Sequence, residues 1–121
     1  MKSHWIEHKG KRIFFADYSG FGTDSEALRQ EVEAAVAVIV AEPPKSVRVL
    51  SSLEGTIEST TNMRVIRQIV PRANRSVIKR ALLGLSGSRR FLLTLFANVF
   101  GDTRVAAFDS QAEALEWLVE D

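Results

Sequence analysis

After two short strand-like runs, the chain alternates between β-like and α-like segments, a pattern that points to an α/β fold with a parallel sheet. Residues 4–9 and 11–18 read as two strands joined at Lys9-Gly10, with Gly10 supplying the turn. The second, Arg12-Ile13-Phe14-Phe15-Ala16-Asp17-Tyr18, is rich in strand formers. Ser19-Gly20-Phe21-Gly22 then breaks the pattern. Thr23, Asp24 and Ser25 are candidate caps for a helix whose apolar positions are Leu28, Val32, Ala35, Val36 and Ile39. Pro43-Pro44 should end it.

A short strand over Ser46–Ser52 follows, then Glu54-Gly55 and the cap formers Ser59-Thr60-Thr61-Asn62. A second helix carries Met63, Ile66, Ile69, Val70 and Ala73, and Pro71 should kink it or end it early. Val77–Ser86 holds the continuous run Ala81-Leu82-Leu83, as expected of a strand covered on both faces. A third helix is predicted over residues 89–100 and a last strand over Thr103–Phe108. Ser110 with Glu113 predicts a capping box for a final helix carrying Leu115, Trp117, Leu118 and Val119.

The order is β-β-α-β-α-β-α-β-α, a β-hairpin followed by a βα superhelix. We therefore expect a five-stranded, mostly parallel α/β sheet. Strands two to five should be parallel in sequence order, with the first antiparallel at the edge beside the second. Arg12, Arg48 and Arg80 alternate with apolar neighbours, which predicts that one sheet face is only partly covered.

At 121 residues the chain fits one domain, with 45% hydrophobic and 26% charged residues. It has no cysteine, which excludes disulfides and thiolate metal sites. The N-terminus lacks a signal-peptide pattern, and the apolar stretches Ala34–Ala41 and Phe91–Phe100 fall short of the ~20 residues that span a bilayer. We expect a cytoplasmic protein. Net charge is only +1, but residues 59–101 carry eight basic side chains and no acid, so +8 there stands against −7 elsewhere. Residues 105–121 carry five acids and no base. Such polarity usually marks an electrostatic face for a partner.

Several local strings resemble the STAS-like family, named for sulfate transporters and anti-sigma factor antagonists. They are Phe15-Ala16-Asp17-Tyr18-Ser19-Gly20, Leu83-Gly84-Leu85-Ser86-Gly87, and Phe108-Asp109-Ser110 leading to Glu113-Ala114-Leu115-Glu116-Trp117-Leu118. The resemblance covers nearly all of the chain and implies a single STAS-like domain over residues 1–121, closest to the small free-standing proteins of that family. In the anti-sigma factor antagonists an Asp-Ser-Ser-Gly stretch precedes the second helix, and a partner kinase phosphorylates its first serine. The matching place here reads Ser59-Thr60-Thr61-Asn62, without the Asp and the Gly. Thr60 takes the acceptor position in the register that keeps Met63, Val65 and Ile66 apolar; a shift of one residue puts Ser59 there.

Each candidate site has a plainer alternative. Ser59, Thr60 and Thr61 stand where helix amides would stabilise an added phosphate, or they simply cap the helix. Ser86, Gly87, Ser88, Arg89 and Arg90 offer an anion cradle at a strand's carboxyl end, or an ordinary turn with solvated arginines. Arg64, Arg67, Gln68, Arg72 and Arg75 line one face of the second helix. That face could meet an acidic protein; the lack of nearby aromatics and of any nucleic-acid motif argues against nucleic acid. The predicted third helix is apolar over most of its circumference, interrupted only by Thr94 and Asn98. Part of Phe91, Leu93, Phe96, Ala97 and Phe100 should then form an interface, for a homodimer, a protein partner or a membrane lipid.

The catalytic inventory is thin. His4 and His8 lie ~13 Å apart along one strand, too far to chelate one metal. No nucleophile elbow or dinucleotide fingerprint is present, and Asp17 has no evident partner. We expect no catalytic residues, no metal and no cofactor. The chain reads as a regulatory, protein-binding module; the alternative is a small-ligand or lipid-binding domain, kept open by the similar superhelical fold of CRAL-TRIO domains.

Overall fold

The computed structural model describes residues 1–85 and 99–120. β1 (His4–His8) and β2 (Lys11–Asp17) form the expected hairpin. Both turn residues, Lys9 (φ 50°) and Gly10 (φ 80°), take left-handed backbone angles, which match the twist of paired strands. α1 (Ser25–Val40) begins at Asp24, whose carboxylate accepts a hydrogen bond from the Ala27 amide at 3.0 Å. It ends just ahead of Pro43-Pro44, which cannot continue a helix.

β3 (Val47–Ser52) leads to α2 (Thr60–Ile69), capped by the Ser59 hydroxyl, which accepts from the Asn62 amide at 3.1 Å. Pro71 ends α2 as expected, and the chain tightens into a 3-10 segment over Val70–Ser76 before β4 (Val77–Leu83). β5 (Arg104–Phe108) and α3 (Gln111–Val119) follow, the latter capped by the Ser110 hydroxyl on the Glu113 amide at 3.2 Å. The predicted third helix over 89–100 lies outside the described residues except at its last two positions.

The five strands stand in the order β1-β2-β3-β4-β5, the first pair antiparallel and the other three parallel. Alternation along each strand divides the core in two. On one face Phe14, Ala16, Val49 and Leu82 pack with Leu28, Val32 and Ile39 of α1 and Ile66 and Ile69 of α2. On the other, Ile13, Leu50, Ala81 and Leu83 pack with Ala114 and Leu118 of α3.

The three strand arginines do not share a half-bare face. Arg48 lies on the α3 side and its Nε donates to the Leu118 carbonyl at 2.8 Å. Arg80 points into the α1–α2 layer and is 1% exposed. Lys79, beside it, is buried on the α3 side. Its ammonium donates to the Trp117 and Glu120 carbonyls at 2.7 and 2.8 Å, while Lys11 reaches the Val119 carbonyl at 3.0 Å. Cations from β2, β3 and β4 thus meet the negative end of α3, whose own last turn contains no base.

Candidate functional site

The carboxyl ends of β2, β3 and β4 are laced into one stiff rim. Beyond the strands proper, Tyr18 N–H donates to the Ser52 carbonyl at 3.0 Å, Gly20 to Glu54 at 2.7 Å and Gly22 to Gly55 at 2.8 Å. Leu53 N–H reaches Leu83 across the next gap at 3.0 Å. Thr56 is buried and bridges back, its hydroxyl donating to the Tyr18 carbonyl at 2.5 Å and accepting from Phe21 N–H at 3.2 Å.

Asn62 fastens the helices to this rim. Fully buried, it donates from Nδ2 to the Gly22 and Ile57 carbonyls at 3.0 and 2.8 Å, and its Oδ1 accepts from the Ser25 hydroxyl at 2.6 Å. Every hydrogen-bonding atom of its amide is used, so the start of α2 is held in place from below. Ser59 is the cap, whereas Thr60 and Thr61 are exposed on the outer side. Arg64, one turn further along, is exposed, as are Arg67 and Arg75. Arg72 pairs with Glu33 of α1 at 3.3 Å.

Asp17 is not the lone carboxylate the sequence suggested. Its Oδ1 accepts from the Ser19 amide and hydroxyl at 3.1 and 2.5 Å and lies 3.6 Å from the Lys2 ammonium. Glu31 on α1 receives the Lys2 and Ser3 amides, each at 2.9 Å. Burial would push that carboxyl up, but these amides, the Ser3 hydroxyl and the chain's ammonium together hold it below the ordinary range.

Of the other candidate residues, Ser86, Gly87, Ser88, Arg89, Arg90, Phe91, Leu93 and Phe96 lie outside the described residues. Phe100 corrects the expectation of a contact surface at its position. It is 3% exposed and belongs to the α1–α2 core, where its ring faces the Arg80 guanidinium at 5.1 Å. His4 and His8 are engaged separately, His4 with the Lys2 carbonyl at 2.8 Å and His8 with Glu116 at 3.1 Å. Among the described residues no cluster of His, Asp and Glu is arranged to hold a metal, and no helix is long and apolar enough to cross a membrane.

Beneath the rim lies a feature the sequence reading missed. Tyr18, Ser51, Arg80 and Phe100 line a cavity of about 10 Å³ together with Ile66 and Val70. Burial pushes the Tyr18 phenol up to about 12, with Arg80 drawing it down and Glu31 adding a little upward. The signal was available: a cation in a strand predicted to be covered on both faces must end up inside.

No family model and no curated protein matches the chain. Among solved structures, an uncharacterized protein of the DUF3478 family with a SpoIIAA-like fold, from Shewanella loihica PV-4, aligns with a TM-score of 0.62. Identity is 17%, over 96% of this chain and 91% of that one. The chain has a SpoIIAA-like, STAS-type fold. In this SpoIIAA-like frame the hydroxyl cluster stands at the outer end of the parallel sheet, where open α/β folds collect their functional groups. Fold alone does not carry an activity.

Proposed function

We propose that this SpoIIAA-like domain is a non-catalytic regulatory module that binds an acidic protein partner through α2 and is switched by phosphorylation at the start of that helix. The observation that carries this reading is the outer face of α2. Thr60 and Thr61 are exposed one turn before Arg64, and Arg64 and Arg67 form no ion pair among the described residues. An unmodified face offers two guanidinium groups to a carboxylate-bearing surface. A phosphate on Thr60 would sit on the helix amides within reach of Arg64, four residues on. It would cancel the charge the partner reads.

The test begins with copurification of the tagged protein from its host, then titration of the purified partner. Arg64→Glu with Arg67→Glu, and separately Thr60→Glu, should each weaken binding at least about tenfold, and added salt should weaken the wild type. Phosphate should be found on the 59–61 segment of protein from native cells. Unchanged affinity in all variants would overturn the reading.

A further inference from the structure

α2 and α3 are oppositely charged and lie on opposite sides of the sheet. α2 contains Arg64 and Arg67 and no acid, whereas α3 contains Glu113 and Glu116 and no base. All four residues are exposed. Each pair is three residues apart, which makes neighbours on one face of a helix. Arg64, Arg67 and Glu113 form no ion pair among the described residues. Glu116 meets Lys9 at 2.7 Å and His8 at 3.1 Å, with half of its side chain still in solvent. Asp109 and Glu120, both exposed, extend the negative charge beyond either end of α3.

The two charged faces cannot meet within one molecule. α2 packs into the core on one side of the sheet through Ile66 and Ile69, and α3 on the other through Ala114 and Leu118. A second copy carries both faces, and its α3 presents two carboxylates at the spacing of Arg64 and Arg67. Both helices run from the carboxyl ends of the strands back towards their amino ends. α2 leads from β3 to β4, and the last turn of α3 meets Lys11 and Lys79 near the starts of β2 and β4. A copy displaced along the sheet normal therefore offers Glu113 to Arg64 and Glu116 to Arg67 in the same direction along each helix.

We propose that the basic face of α2 docks on the acidic face of α3 of a second copy of this chain, so that the domains stack head to tail. This rests on the reading that α2 meets an acidic protein, and it names that protein. The two faces differ, so the contact is heterologous and leaves one open face at each end, from which the stack grows past two copies. Exposed ion pairs are individually weak and are screened by salt, so the stack belongs to high local concentration.

Sedimentation velocity of the full chain, up to about 1 mM protein, tests this with no other protein present. In about 20 mM salt the weight-average coefficient should climb past the value for two copies, and in about 500 mM salt it should return to that of one. Arg64→Glu with Arg67→Glu should stay monomeric throughout, and so should Glu113→Arg with Glu116→Arg. Mixing these two variants should restore association, because the first keeps its acidic α3 and the second its basic α2. If the α3 variant does not fold, the wild type and the α2 variant decide. A wild type that stays monomeric in low salt, a plateau at two copies, growth unaffected by the α2 reversal, or two folded variants that do not associate when mixed would each overturn the proposal. If the stack fails while the α2 variant still loses affinity for a copurified partner, the reading of α2 stands without it.

Discussion

Lys79 and Arg80 are neighbours in β4 and send two buried cations to opposite faces of one sheet. The Lys79 ammonium meets two carbonyls at the end of α3 and lies 4.6 Å from the Trp117 ring centre. The Arg80 guanidinium meets one neutral hydroxyl. One cation secures a helix end, and the other is buried with two of its three guanidinium nitrogens unmatched.

Lys79→Met therefore differs from Arg80→Met. Removing Lys79 takes its donor from the Glu120 carbonyl, leaves the Trp117 carbonyl only the Glu120 amide at 3.3 Å, and should cost about 2–4 kcal/mol in urea unfolding. Amide exchange in α3 should accelerate with it. Arg80→Met should be within about 1 kcal/mol of wild type or more stable, because a desolvated charge disappears.

Asn62→Ala tests the rim. The substitution leaves the Gly22 and Ile57 carbonyls without their side-chain donor and should destabilise the domain by about 2–3 kcal/mol. Limited proteolysis should then cut first between residues 53 and 58. Cleavage unchanged from wild type would show that the backbone bonds between the loops are sufficient alone.

Glu31 governs the acid limb of stability. Its folded carboxyl is held below the ordinary range, so its contribution is complete above the unfolded value of about 4.3 and is lost as pH falls through the folded one. Urea midpoints from neutral pH down to about pH 3 should fall more steeply for wild type than for Glu31→Gln. Parallel curves would remove Glu31 from the account.

Gly84 stands where the β3 and β4 ends meet. Its φ is +74°, and a Cβ there would fall 2.5 Å from the Glu54 backbone nitrogen and 2.8 Å from its Cα. Gly84→Ala should cost about 2–3 kcal/mol, since both backbone strain and overpacking oppose it. Thermal melting of the variant checks this directly.

Hydrophobic period and turn chemistry made most of this fold readable. The Lys9-Gly10 turn, the caps at Asp24, Ser59 and Ser110, and the stops at Pro43 and Pro71 are local, and each acts where its residue type predicts. What stayed hidden depends on three-dimensional proximity. Arg80 looked like the polar half of an alternating strand, because its neighbours Val49 and Tyr18 come from distant parts of the chain. Asn62 looked like one more cap former, although its amide joins the β2–α1 connection, at Gly22 and Ser25, to the β3–α2 loop at Ile57. The charge segregation was visible as a count. Its partial meaning, that strand cations serve the end of an acidic helix, needed the sheet register.

The sheet order follows the order of the chain, strand by strand. Each new strand therefore adds to an edge that its predecessor has just created, and no strand has to be inserted between two that are already paired. A nascent polypeptide leaving the ribosome could lay down this sheet in one direction, without waiting for distant segments to emerge. The far face would stay open until Gln111–Val119 arrived to cover Ile13, Leu50 and Ala81. Synthesis paused before that point would leave a sheet with three unanswered cations and a bare apolar surface, the species most in need of a chaperone.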